Sequence, residues 1–212
     1  MAESGRFEAF GAEDEELRAD VGWLGAMLGE ALVEQGGQAL FDRVEAARRA
    51  AIERRQGPSA AGAALEAALT DLPAAEAAEL TRAFSAYFSL VNLAERVHRL
   101  RRRRDYLARP ETAQPGSVLD VVRRLAADGV TLGQARDLLA RLELVPVFTA
   151  HPTESIRRTL LRKEQHIARL LVDRLEHGTP TPPESEALAD QVATQIRLIW
   201  QTDEQPSLRP TV

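Results

Sequence analysis

The sequence predicts a mostly α-helical chain with one short strand. Alanine and leucine supply most of the apolar side chains, and both residues favour helices. Over most of the chain the apolar residues recur at intervals of three and four, the spacing of one helix face. Only residues 144–149 (LVPVFT) change to a short apolar run typical of a buried strand. Because one strand cannot pair with itself, we expect its sheet to lie outside this sequence.

The first helices are delimited by glycine and proline. The apolar spacing begins near Leu17 and stops at the Gly36-Gly37 pair. A second helix then extends to the break at Gly57-Pro58, and a short alanine-rich helix carries Leu65 and Leu69.

The longest predicted helix covers residues 74–106 without a breaker. Its apolar stripe requires a partner surface, so this helix is not expected to stand alone. Residues 108–116 contain two prolines and are predicted to form a loop. Ser117 is the predicted N-cap of the next helix, and Gly129 is its predicted left-handed stop.

Capping signals also mark the later helices. Thr131 with Gln134 and Thr181 with Glu184 have the spacing of capping boxes, in which each side chain accepts a hydrogen bond from the other residue's backbone N–H. Between them, Thr153 is the predicted N-cap of a long helix.

Composition excludes several classes of protein. The 212 residues include no cysteine, which rules out disulfides and thiolate metal sites. No apolar run reaches the ~18 residues of a membrane span, and the first twenty residues lack the basic start and apolar stretch of a secretory signal, so we expect a cytoplasmic protein. The net charge of −5 argues against a dedicated nucleic-acid binder.

His151 is the residue best placed for chemistry. It follows the predicted strand and precedes a helix, where α/β barrels carry their functional side chains. Arg157 and Arg158, one turn further on, add positive charge that would hold a phosphate or carboxylate. A histidine near a helix start is also typical of a packing residue, and the two arginines of a solvated surface, so spacing alone leaves both readings open. Spacing also does not decide whether residues 199–204, with a tryptophan beside two acids, form the wall of a site or a capped helix end with a core tryptophan. The other histidines are interpreted as structural or exposed: His98, His166 and His177.

The stretch Phe148-Thr149-Ala150-His151-Pro152-Thr153-Glu154, followed by Arg157-Arg158-Thr159-Leu160, closely resembles the histidine signature of phosphoenolpyruvate carboxylase. Three further stretches resemble the family in the same order: Gly22-Trp23-Leu24-Gly25 to Gly29-Glu30, Arg82-Ala83-Phe84-Ser85 to Asn92-Leu93-Ala94-Glu95, and Trp200-Gln201-Thr202-Asp203-Glu204 with Arg209-Pro210-Thr211. The resemblance spans nearly the whole chain but only the N-terminal portion of the family.

The resemblance implies an α/β barrel surrounded by many additional helices in the full-length protein. Residues 1–143 would be an N-terminal helical region, and residues 144–212 the first strand-loop-helix unit of an incomplete barrel. Members are carboxy-lyases that form oxaloacetate and phosphate from phosphoenolpyruvate and bicarbonate, via carboxyphosphate and enolpyruvate. They are cytoplasmic homotetramers that use Mg2+ or Mn2+, whose ligands we expect beyond residue 212. We expect no metal ligand in this fragment, and no activity from it alone.

The resemblance also implies roles for individual residues. His151 matches the catalytic histidine that deprotonates or orients carboxyphosphate, and Arg157 and Arg158 match signature positions that support an anion site. Where family members carry an aliphatic residue and an arginine after the Thr-Asp-Glu, this chain has Gln205-Pro206.

Two alternative functions belong to other classes. A non-catalytic helical binding or assembly module would use the surface of the 74–106 helix, and it gains support if residues 144–149 are exposed and unpaired. A histidine phosphotransfer bundle requires an exposed histidine in mid-helix, whereas Pro152 is predicted to hold His151 at a strand-helix turn.

Overall fold

The computed structural model describes residues 14–56, 62–63, 66, 69–70, 72–109, 111–148, 157–178 and 180–204. The helices of these residues are α1 (Glu15–Gly36), α2 (Gln38–Gln56), α3 (Ala74–Ala108), α4 (Val118–Ala127), α5 (Leu132–Ala140), α6 (Arg158–His177) and α7 (Pro182–Trp200). The predicted mostly helical fold class is confirmed. None of the helices in the described part of the chain is both long and apolar enough to cross a membrane.

The chain divides into two compact units. The first comprises Met1–His98 with Ile156–Val212, and the second comprises Arg99–Ser155. The division that the resemblance implies stays a prediction: residues 1–143 as an N-terminal helical region and residues 144–212 as the first strand-loop-helix unit of an incomplete barrel.

The hydrophobic core of the first unit is built mainly from α1, the first part of α3, α6 and α7, and Leu40 of α2 also belongs to it. Each of the four main helices contributes at least one side chain with no exposed surface: Leu24, Leu93, Ile167 and Ile196. The predicted three-and-four spacing produces this core, because it places the apolar side chains of each helix on one face. Burying a leucine or isoleucine completely stabilises the fold by about 1.5–3 kcal/mol.

Glycine ends α1 where the sequence predicts it. Gly37 has φ +85°, a left-handed conformation that costs other residues free energy, and its N–H donates to the carbonyl of Val33 at 3.1 Å. The chain restarts immediately as α2 at Gln38.

The predicted caps are present as well. The Ser117 side chain accepts from the backbone N–H of Asp120 at 3.2 Å, and both predicted capping boxes form. In the second box the backbone N–H and hydroxyl of Thr181 both donate to Glu184, at 2.8 and 2.7 Å, and these hydrogen bonds lower the pKa of that carboxyl.

The predicted strand is wrong for the residues that the structure describes. Residues 142–148 form no regular secondary structure, and the apolar side chains among them are largely exposed, with Val145 at 71% and Phe148 at 92%. A strand needs backbone hydrogen bonds to a neighbouring strand, and the described residues include none. Thr149, the last residue of the predicted strand, lies outside the described residues.

The helices of the second unit also lack a buried face. No residue of α4 or α5 is buried, although both have apolar side chains at helical spacing. Exposed leucines and valines include Val118, Val122, Leu132 and Leu139. Within the described residues this unit therefore has amphipathic helices without a core.

Two further predictions concern the ends of elements. Thr153, the predicted N-cap of α6, lies outside the described residues. In the structure α6 begins at Arg158 and its N-cap is Arg157, which has non-helical backbone angles (φ −55°, ψ 128°). The short helix around Leu65 and Leu69 falls largely outside the described residues.

Candidate anion-binding site

The strongest candidate site among the described residues lies where α3, the start of α6 and the end of α7 meet. It consists of Arg82 from α3, Arg157 from the start of α6, and Trp200 and Asp203 from the end of α7. We call these four residues the Arg82–Asp203 cluster. All of them belong to the first compact unit.

The end of α7 fixes one side of the cluster. Trp200 is the last helical residue and is only 3% exposed, because it belongs to the hydrophobic core. The chain then turns out of the helix: the backbone N–H of Thr202 donates to the carbonyl of Ile199 at 3.1 Å, and its hydroxyl donates to the carbonyl of Leu198 at 2.6 Å. These bonds hold Asp203 close to the buried tryptophan.

Arg82 lies across Trp200 and reaches Asp203. Its guanidinium carbon is 4.0 Å from the centre of the Trp200 ring, within the range of a cation–π interaction. One terminal nitrogen is 3.7 Å from Oδ1 of Asp203. The Nε atom of Arg82 is buried without a hydrogen-bond partner among the described residues.

Arg157 contacts the same aspartate through its backbone. Its Nη1 donates to the backbone carbonyl of Asp203 at 3.4 Å, across 46 residues of sequence. Its own carbonyl accepts from the N–H of Leu161 at 3.1 Å, so Arg157 is also the N-cap of α6. The neighbouring Arg158 is exposed and has no partner among the described residues.

The charges around the cluster favour an anion. Arg82, Arg157 and Arg158 bring three positive charges, against the carboxylates of Asp203 and the adjacent, exposed Glu204. The start of α6 adds the positive end of a helix dipole, with backbone N–H groups not used inside the helix. A phosphate or carboxylate group suits this combination, and guanidinium groups bind such groups through paired N–H donors.

The structure describes two of the three predicted site residues, Arg157 and Arg158. It brings Arg157 into the cluster and leaves Arg158 on the surface beside it. His151 lies outside the described residues, so its catalytic role stays a prediction. The other histidines match their interpretation as structural or exposed, since His98 is buried with Nε2 3.4 Å from Oδ1 of Asp14, whereas His166 and His177 are exposed.

Comparison with known proteins decides the family. The family model described as phosphoenolpyruvate carboxylase matches residues 17–212. The chain belongs to the phosphoenolpyruvate carboxylase family.

Individual carboxylases are similar over almost all of this chain. The phosphoenolpyruvate carboxylase of Xanthomonas oryzae pv. oryzae is 45% identical over 204 residues, which cover 96% of this chain and 22% of that protein. That of Thermus thermophilus is 43% identical over 198 residues, covering 92% and 22%. That of Nitrosomonas eutropha is 39% identical over 202 residues, covering 94% and 21%. The chain thus spans about a fifth of the length of these carboxylases.

The described residues do not form a metal site. No group of three or more histidine, aspartate or glutamate side chains among them is arranged to hold a metal ion. The Mg2+ or Mn2+ that the carboxylase family resemblance implies therefore finds no ligand set in the described part of the chain, and its ligands stay predicted for sequence beyond residue 212.

Sequence reasoning did not assign Arg82 or Asp203 to a site. The two residues are 121 positions apart, so no periodicity or motif spacing connects them. Each lies in a stretch that resembles the carboxylase family, and this was the one available signal. The sequence also left Trp200 as either a site wall or a core residue, and the structure shows a core residue with Arg82 stacked over it.

Proposed function

We propose that this chain is part of a phosphoenolpyruvate carboxylase, a carboxy-lyase that forms oxaloacetate and phosphate from phosphoenolpyruvate and bicarbonate. The observation that carries the proposal is the family match over residues 17–212, together with the signature around His151. The relatives are more than four times as long as this chain, so the chain contributes one part of the site and is inactive alone.

The proposed reaction has two halves. Bicarbonate attacks the phosphate of phosphoenolpyruvate and gives carboxyphosphate and the enolate of pyruvate. Carboxyphosphate then releases CO2 to the enolate carbon, which forms oxaloacetate and leaves phosphate. His151 would deprotonate or orient carboxyphosphate in the second half, a role suited to a side chain whose ordinary pKa is about 6.5.

Arg157 and Arg158 would support the anion in this scheme. Both substrates and the intermediate are anions, and the start of α6 combines the two guanidinium groups with a helix dipole. Arg157 is held in place through Asp203, whereas Arg158 is exposed and has no partner in the described part of the chain. We therefore expect Arg157 to be the pre-positioned member of the pair.

The divalent metal would supply further positive charge to the phosphate when bound. The described residues offer no ligand set for it. The family resemblance further leads us to propose a cytoplasmic homotetramer.

The test uses the protein as its own cell produces it, whatever its length. Its intact mass and its formation of oxaloacetate from phosphoenolpyruvate and bicarbonate are measured first. In the active protein, His151→Asn should abolish oxaloacetate formation while phosphate is still released, and the matched variant His166→Asn, on the exposed surface of α6, should leave both unchanged. Undiminished oxaloacetate formation by His151→Asn would refute the role of this histidine.

A second candidate is the helical binding or assembly module. The exposure of Val145 and Phe148, in a segment that is not a strand, favours it as a description of the 212 residues by themselves. A native mass near 23.3 kDa with no carboxylase activity would support this function and contradict the first.

A further inference from the structure

Arg82 makes contacts that a solvated arginine does not need. Its side chain is 33% exposed, its guanidinium covers the Trp200 ring, and its buried Nε has no partner among the described residues. Withdrawing an N–H from water without a hydrogen bond costs free energy. The stacking and the charge contact with Asp203 must offset that cost for the guanidinium to stay where it lies.

Asp203 connects Arg82 to the start of α6. Its carboxylate faces Arg82 at 3.7 Å, and its backbone carbonyl accepts from Arg157 at 3.4 Å. The hydrogen bonds of Thr202 fix the chain up to the residue before Asp203, and the contact of the Asp203 carboxylate with Arg82 further restricts the position of the carbonyl that Arg157 uses. One residue thus joins an arginine of α3 to the N-cap arginine of α6.

We propose that Arg82 is a positioning residue for the anion site, acting through Asp203 on Arg157. The inference rests on the proposed carboxylase function and adds to it a residue of α3 that need not touch substrate. Displacing a group that positions a substrate by as little as about 1 Å can lower a rate by about 100-fold. A guanidinium that fixes the partner of Arg157 therefore has a measurable effect on catalysis.

The shape of the side chain matters for this role. A planar guanidinium can stack on an indole ring and still direct an N–H at a neighbouring carboxylate. A lysine ammonium keeps the charge but cannot cover the ring in the same way, and methionine keeps only the length. The proposal predicts the order of activity wild type, then Arg82→Lys, then Arg82→Met.

The experiment compares Arg82→Met and Arg82→Lys in the protein as its own cell produces it. Arg43→Met is the matched control, because Arg43 is 31% exposed and pairs with Glu76 at 2.7 Å outside the cluster. We expect Arg82→Met to lower kcat/KM for phosphoenolpyruvate by about 10- to 100-fold. Arg82→Lys should show a smaller loss, and Arg43→Met should change kcat/KM less than about twofold.

A double-mutant cycle separates positioning from general structural damage. If Arg82 acts through Arg157, Arg82→Met should change kcat and KM in the same proportions as Arg157→Met, and the double variant should be no worse than Arg157→Met alone. Losses that multiply would overturn the proposal. It would also be overturned if Arg157→Met had no effect, or if Arg82→Met had no more effect than Arg43→Met.

Hydrogen exchange separates failure of this inference from failure of the proposed function. Arg82→Met should cause a loss of amide protection at Leu161, whose N–H donates to the carbonyl of Arg157, and Arg43→Met should not cause this loss. A wild-type protein without carboxylase activity would refute the function and the catalytic consequence of Arg82. Unchanged protection in Arg82→Met would show that Arg82 does not hold the start of α6, whatever the reaction.

Discussion

Truncation of Leu93 tests the core that supports the site. Leu93 lies on α3, eleven residues after Arg82, and its side chain has no exposed surface. Leu93→Ala removes three buried carbon atoms, worth about 2.4 kcal/mol at about 0.8 kcal/mol for each. The cavity left behind adds to this loss, so we expect the free energy of unfolding to fall by about 3–4 kcal/mol. For a chain of this length the melting temperature should fall by about 6–16 °C.

Urea unfolding followed by tryptophan fluorescence measures this loss. Trp23 and Trp200 are the two tryptophans of the chain and both lie in the first compact unit, so the signal reports the unit that contains Leu93. Leu161→Ala is the matched control, because Leu161 lies on α6 of the same unit but is 38% exposed. We expect it to lose about 1 kcal/mol, since no enclosed cavity forms. Equal losses in the two variants would refute the described packing of α3.

Three other predictions use single features of the fold. Burial raises the pKa of Glu164 above the ordinary 4.5, with Arg96 opposing the shift. The stability that protonated Glu164 contributes is therefore present below about pH 4.5 and is lost as the pH rises through its pKa in the folded state. In urea titrations the unfolding free energy of Glu164→Gln should increase relative to wild type between pH 4.5 and 7, and a difference between the two proteins that does not change with pH would contradict this. Gly37→Ala should lower the unfolding free energy by about 1 kcal/mol, because φ of Gly37 is +85°. Gly22→Ala, in mid-helix with open space around the added Cβ, should raise the unfolding free energy by up to about 1 kcal/mol. A lower stability of both variants in thermal melts would argue against the assigned backbone. Phe148→Ser should leave the circular-dichroism melt within about 0.5 kcal/mol of wild type, since the ring is 92% exposed, and a clear loss would show that the ring is packed.

Helix ends were predictable because their signals are local. The capping box of Thr131 and Gln134 needs residues only three positions apart, and both expected hydrogen bonds form. Gly37 likewise ends α1 through its own backbone conformation. Side chains and dihedral angles within one turn of the chain determine these features, so a single sequence contains the information.

The strand and the cluster were not predictable in the same way. Residues 144–148 have the composition of a strand, but a strand exists only where a second segment supplies hydrogen bonds, and no such segment occurs among the described residues. The contact between Arg82 and Asp203 likewise depends on how α3 packs near the end of α7. Arg157 and Arg158 stay predicted site residues, and the contact between Arg157 and the carbonyl of Asp203 could be found only in the structure.

The exposed segment of residues 144–148 also bears on how copies of this chain behave at high concentration. A short run of valine, leucine and phenylalanine outside a sheet is a typical nucleus for intermolecular β-pairing and fibril growth. Pro146 stands in the middle of this run and has no backbone N–H, so a neighbouring molecule cannot form a continuous ladder along it. Pro146 is therefore expected to act as a gatekeeper against aggregation, and Pro146→Val would leave five consecutive apolar residues that can all pair with a neighbouring strand.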